Sequence, residues 1–184
     1  HLSIRRQRQM CIRDRDMDMK AALPIIGELE DEFAKAFGRN YGGVIEEYRT
    51  EDAEVVLVTA GTVTGTARVV VDQLRQEGQK VGLIKLRYVR PFPVEAVGKA
   101  LKNVKAYGVV DKNMSFGYEG TLFTNVNSAI AANQYVKPGI NFIGGLGGRD
   151  ITKTNIREMF ESLQKLADGQ VQERIQYMNV RCPL

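Results

Sequence analysis

Gly144-Gly-Leu-Gly-Gly-Arg-Asp-Ile-Thr152 follows the apolar run Ile140 to Ile143 and precedes a helical pattern that starts near Thr154. The stretch reads as strand, glycine turn, helix. Four glycines in five positions let the chain turn sharply at the end of a buried strand, and Asp150 or Thr152 stands where a cap for the next helix is needed.

The same order occurs at three earlier places. Glu54 to Thr59 is a continuous apolar run ending near Gly61, and Thr62 to Gln76 carries Val63, Ala67, Val70, Val71 and Leu74 at helical spacing before Gly78. A run without alternation is the pattern of a strand covered on both faces. Strand Lys80 to Val89 leads to helix Val94 to Leu101, and strand Lys105 to Val110 to helix Thr121 to Ala132. Strand Ile140 to Ile143 then leads to helix Thr154 to Leu166. Val44 to Arg49 is of mixed polarity after Gly42-Gly43, as an antiparallel edge strand would be. The expected fold class is α/β: three layers, with a mostly parallel, five-stranded, doubly wound sheet and right-handed crossovers. One domain over residues 43–167 holds nearly all of this pattern, and 168–184 reads as a polar tail with a weak helical period.

Upstream, Ile25, Ile26, Leu29, Phe33, Ala36 and Phe37 recur at helical spacing between Pro24 and Gly38. A short linker helix within 17–42 is expected, with Pro24 near its start and Gly38 at its end. Its phenylalanines need a surface to cover, such as one on an upstream segment.

The formal net charge of +4 would suggest nucleic acid or an acidic membrane. Its location argues otherwise. Arg5, Arg6, Arg8, Arg13 and Arg15 against Asp14 give 5 − 1 = +4, which leaves 21 basic and 21 acidic residues in the rest of the chain. Residues 1–16 show no helical or strand period, and Met10-Cys-Ile-Arg-Asp14 resembles a translated transposase-type sequencing adapter. The segment is expected to be an assembly artefact, with the natural chain continuing upstream; the biological alternative is a disordered basic arm. No nucleic-acid or membrane partner is expected, and without an apolar span of about 20 residues the product should be soluble. Setting this segment aside removes His1 and Cys11 and leaves Cys182 alone, an incidental free thiol that fits a cytoplasmic setting. An internal zinc site, a CxxC redox pair, an iron–sulfur cage or a histidine triad therefore cannot be composed from the remainder; no metal site is expected and no catalytic residue is assigned.

In open α/β sheets, ligands or partners gather at the carboxyl ends of the strands. Four such ends supply the candidates. Thr59, Gly61 and Thr62 offer hydroxyls and a helix start for an anion or carbonyl, or are plain turn and cap residues. Arg90, before Pro91-Phe-Pro93, is an anchor at an interface or a salt-bridged corner. Asp111, Lys112 and Asn113 precede Met114 to Gly120, a loop whose Phe116 and Tyr118 call for cover by another domain or subunit. Asp111 has no histidine, cysteine or second acid at a motif spacing to make it catalytic. Gly147, Arg149 and Asp150 complete the rim.

Taken together, Gly61-Thr-Val, Leu86-Arg-Tyr-Val-Arg-Pro-Phe-Pro93, Val110-Asp-Lys-Asn113 with Gly117 and Gly120, and Gly145-Leu-Gly-Gly-Arg-Asp-Ile-Thr152 resemble the second domain of the alpha chain of pyruvate:ferredoxin oxidoreductase. The resemblance covers residues of about 20–168. It implies a transketolase C-terminal-domain-like fold and membership in an enzyme that converts pyruvate and coenzyme A to acetyl-CoA and carbon dioxide while reducing ferredoxin. It also implies that thiamine diphosphate, Mg and iron–sulfur clusters belong to other domains or chains, and that this fragment binds none of them. Partners implied are the upstream domain and the beta, gamma and delta chains, with ferredoxin and coenzyme A for the complete enzyme. Rival readings are another 2-oxoacid:ferredoxin oxidoreductase, or a stand-alone module that binds a small anion.

Overall fold

The computed structural model describes residues 2–180. Helix α1 (Leu2–Phe37) precedes β1 (Ile45–Tyr48), β2 (Val55–Ala60), α2 (Val63–Gln76), β3 (Val81–Leu86), α3 (Val94–Ala100) and β4 (Ala106–Asp111). There follow α4 (Thr121–Ala132), β5 (Gly139–Ile143), a short 3₁₀ turn (Leu146–Gly148), α5 (Lys153–Ala167) and β6 (Ile175–Tyr177). The strands form one sheet in the order β1-β3-β2-β4-β5-β6. All neighbours are parallel except β1, which pairs antiparallel with β3 from Ile45 opposite Leu86 to Tyr48 opposite Leu83.

Both faces of the sheet are covered, which is why the central strands read as unbroken apolar runs. Val55 and Leu57 point to the layer of α2 and α5, where Val70, Leu74, Met159 and Phe160 are buried. Val56 and Val58 point to the layer of α3 and α4, against Val97, Leu101, Phe123 and Val126. Each such side chain removed from water stabilises the fold by about 1.5–3 kcal/mol before its entropy cost.

Two expectations are corrected. The sheet has six strands, not five, because Ile175, Gln176 and Tyr177 pair in parallel with Asn141, Phe142 and Ile143. A three-residue strand is too short to show alternation, and its pairing comes from β5's free edge. The second concerns the helix expected within 17–42: α1 begins at Leu2, so Pro24 lies inside it and not near its start. Residues 7–20 of α1 are exposed, so no face of that stretch is selected for burial and no apolar period is required. Arginine, glutamine, methionine and leucine are good helix formers without burial, and Asp16 pairs with Lys20 one turn on at 2.6 Å. Near its end α1 is fastened to the sheet domain by Glu30, which pairs with Arg87 and accepts the Gly43 N–H.

Candidate functional site

The carboxyl end of β4 and the start of α4 form the most heavily bonded polar cluster of the rim. A helix start leaves four backbone N–H groups without internal partners. In α4 all four are taken by side chains. Gly120 N–H donates to Asn141 Oδ1 at 2.7 Å and Thr121 N–H to Asn113 Oδ1 at 3.2 Å. Leu122 and Phe123 N–H donate to the two Asp111 oxygens at 2.9 and 3.0 Å. Asn141 Nδ2 adds a bond of 2.9 Å to Asp111 and one of 3.3 Å to the Val109 carbonyl. The residue before α4 must be small, since a Cβ on Gly120 would lie 2.3 Å from Asp111 Oδ2. Asp111 is fully buried, and this burial pushes its carboxyl above the usual carboxylate range against the pull of the three donors. An anion has no free donor to meet at this helix start.

Glu119, which sequence reasoning missed, adjoins this cluster. Its side chain is 3% exposed. Thr124 Oγ1 and Asn127 Nδ2 donate to one oxygen, both at 3.2 Å, and Arg174 donates to the other from Nε at 3.1 Å and from NH2 at 2.8 Å. Arg174 also lies over the Phe123 ring, 4.9 Å from its centroid. Asn127 in turn accepts from the buried Tyr107 hydroxyl, whose ionisation burial pushes to higher pH. No local signal marks Glu119, because its partner Arg174 lies 55 residues away.

The remaining candidates are spread along the rim. Thr59 is buried, with its hydroxyl 3.0 Å from that of Thr64. Gly61, at φ 71°, and exposed Thr62 form the turn into α2, and Thr62 makes no side-chain cap. Arg90 is exposed, 2.6 Å from the Val89 carbonyl and 3.5 Å from Asn125 Oδ1, and makes no ion pair among the described residues. It borders a groove of about 1020 Å³ between α1 and the segment Pro91 to Ala96, floored by Met19, Leu23 and Phe92. Lys112 is exposed and lays its stem over Gly145, which adopts φ 73°. Gly147 is exposed in the same turn, at φ 62°. Arg149 donates to the Asn179 carbonyl at 3.4 Å, and the Asp150 carbonyl accepts from Asn179 Nδ2 at 3.0 Å. Thr152, not Asp150, caps α5, in a reciprocal box with Asn155.

Among the described residues no three His, Cys, Asp or Glu side chains come together as a metal ion requires, so these residues do not fit a metal centre. No helix among them is long and apolar enough to cross a membrane. Cys182 lies outside the described residues.

The family model for pyruvate:ferredoxin oxidoreductase core domain II matches residues 53–156, more than half the chain and the span from β2 into α5. The chain belongs to that family. Pyruvate synthase subunit PorA of Methanosarcina barkeri is 40% identical over 164 residues, 89% of this chain and 41% of the relative. The alpha subunit of NADH-dependent phenylglyoxylate dehydrogenase of Aromatoleum evansii is 39% identical over 154 residues, 83% of this chain and 37% of the relative. The chain thus spans about two fifths of the length of these curated relatives. Among solved structures, a split-gene transketolase (inactive beta4 tetramer) aligns with a TM-score of 0.49 and 17% identity, over 64% of this chain and 40% of that one. In this core domain II, then, the conspicuous buried carboxylates Asp111 and Glu119 are both spent on internal donors.

Proposed function

We propose that the chain is the second domain of the alpha chain of pyruvate:ferredoxin oxidoreductase, a framing and subunit-contact domain that is not catalytic alone. The observation that carries this reading is the family match over residues 53–156. The engagement of Asp111 and Glu119 supports the non-catalytic part, since an acid or base must be free to reach a reacting proton. The complete enzyme would convert pyruvate and coenzyme A to acetyl-CoA and carbon dioxide, passing electrons to ferredoxin. Thiamine diphosphate, Mg and iron–sulfur clusters would be held by other domains and by the beta, gamma and delta chains. Residues 17–42 would link this domain to the upstream one, and the assembly would work in the cytoplasm. Gly61, Thr62, Arg90, Lys112, Asn113, Gly147, Arg149 and Asp150 are the rim positions through which it would touch its neighbours.

The substrate is best stated as a 2-oxoacid, pyruvate first. The relatives from M. barkeri and A. evansii carry the names of a pyruvate and a phenylglyoxylate enzyme at nearly equal identity, 40% and 39%. The test is co-expression with companion subunits and assay of coenzyme A-dependent ferredoxin reduction over a panel of 2-oxoacids. The expected result is turnover by the complex, fastest with pyruvate, and none by this chain alone. Turnover by the chain alone, or a complex inert toward every 2-oxoacid, would overturn the proposal.

A further inference from the structure

The turn between β4 and α4 carries Phe116, 100% exposed, and Tyr118, 63% exposed. Tyr177 of β6, itself 55% exposed, reaches the start of this turn, its hydroxyl donating to Met114 Sδ at 3.1 Å. Aromatic area left in water is unfavourable, and a cluster of it marks a contact site.

The turn is also held in place. Ser115 N–H donates to the Glu119 carbonyl at 3.1 Å and Tyr118 N–H to the Ser115 carbonyl at 2.9 Å. Glu119, at the foot of the turn, is clamped by Arg174, whose Nε and NH2 both donate to one of its oxygens. The Arg174 carbonyl accepts the Asn141 N–H at 2.8 Å, so one residue ties the C-terminal segment both to β5 and to the turn. Holding the turn before binding lowers the ordering cost of association.

The charge of the surface names its counterpart. Asp111 and Glu119 are buried and engaged, whereas Lys112 at the base of the turn is exposed and has no carboxylate within 4 Å among the described residues. An exposed aromatic turn that follows an exposed, unpaired lysine by a few residues fits an apolar pocket that bears a carboxylate.

We infer that the Phe116–Tyr118 turn is a preorganised docking knob for another subunit of the oxidoreductase, which receives it in an apolar, carboxylate-bearing pocket, and that Arg174 is its positioning residue. The choice of a companion subunit as receiver rests on the family reading above.

The test is the association of the full chain with its companion subunits, measured by titration at fixed salt, alongside the melting temperature. Phe116→Ala should weaken association at least tenfold, the loss typical of a central aromatic anchor, with no change in melting temperature. Lys112→Glu should weaken it several-fold, and more so at low salt. Arg174→Met should weaken it with Phe116 still in place, whereas Arg174→Lys, which keeps the charge but not the planar fork, should recover part of the loss. Association of Phe116→Ala/Tyr118→Ala as tight as wild type would overturn the knob alone. Loss in that variant of self-association by the isolated chain, with companion binding intact, would make a second copy the receiver and overturn the assignment. A wild-type chain that binds no companion subunit would overturn the family reading together with this one.

Discussion

Replacing Asp111 with alanine takes the acceptor from three donors at once: the Leu122 and Phe123 amides and Asn141 Nδ2. The two amides have no partner inside α4, and Phe123 is fully buried. Each buried donor left unsatisfied costs about 1–3 kcal/mol, while Asn141 Nδ2 keeps the Val109 carbonyl. Against this stands the gain from no longer burying a carboxyl, whose ionised form burial disfavours. The balance should be a loss of about 3 kcal/mol, well above the ~1 kcal/mol usual for removing an exposed cap. Urea unfolding should show a lower midpoint at unchanged slope, and the Leu122 and Phe123 amides should lose hydrogen-exchange protection more than the amides of α5. Asp111→Asn, which retains one acceptor oxygen, should lose about half as much. A loss below about 1 kcal/mol, or undiminished stability combined with loss of turnover in the assembled enzyme, would show that Asp111 serves a ligand and would refute the reasoning.

Gly120→Ala should destabilise by about 1–3 kcal/mol in the same unfolding assay, because the added Cβ meets Asp111 Oδ2 at 2.3 Å and must displace the cap. Thr152→Ala, which removes an exposed cap, should cost ~1 kcal/mol, with Thr152→Ser close to wild type. Arg90→Ala should weaken assembly with the beta chain more than it lowers the melting temperature, since among the described residues its side chain makes two hydrogen bonds and no ion pair; the opposite ranking would make it a structural corner. Glu77 meets Arg157 at 2.7 and 2.9 Å, which lowers its pKa below the ordinary 4.5. The stability it adds is therefore complete above about pH 4.5 and is lost as pH falls through the lowered value. The melting-temperature gap between wild type and Glu77→Gln should close over that acid range.

What the sequence made legible was whatever short-range chemistry determines. The apolar runs placed β2 to β5 within a few residues, because a strand covered on both faces tolerates little polar interruption, and the mixed polarity after Gly42-Gly43 placed the edge strand β1. The cap of α5 was readable as Asp150 or Thr152 from the glycine turn before the helix, and the bond from the Asn155 N–H to Thr152 Oγ1 decides between them. Long-range partners were not readable. Glu119 looks like a loop acid until Arg174 is folded against it, and Asp111 looks like a rim acid until Asn141 and the α4 amides surround it. β6 has only three residues and acquires its identity from the edge of β5. Residues 7–20 of α1 lacked a period because they are exposed, so propensity alone had to be weighed.

The most direct test of the central claim, that this chain is an interchangeable second domain which frames the enzyme without doing its chemistry, is a domain exchange. Residues 43–180 would replace the matching part of the M. barkeri PorA subunit, and pyruvate-dependent electron transfer by the assembled hybrid would be measured. The account predicts a hybrid that assembles and turns over within about tenfold of the parent, since no catalytic group is exchanged. A hybrid that folds and assembles yet has lost turnover by several orders of magnitude would contradict it, because the exchanged domain would then hold a group that the reaction needs.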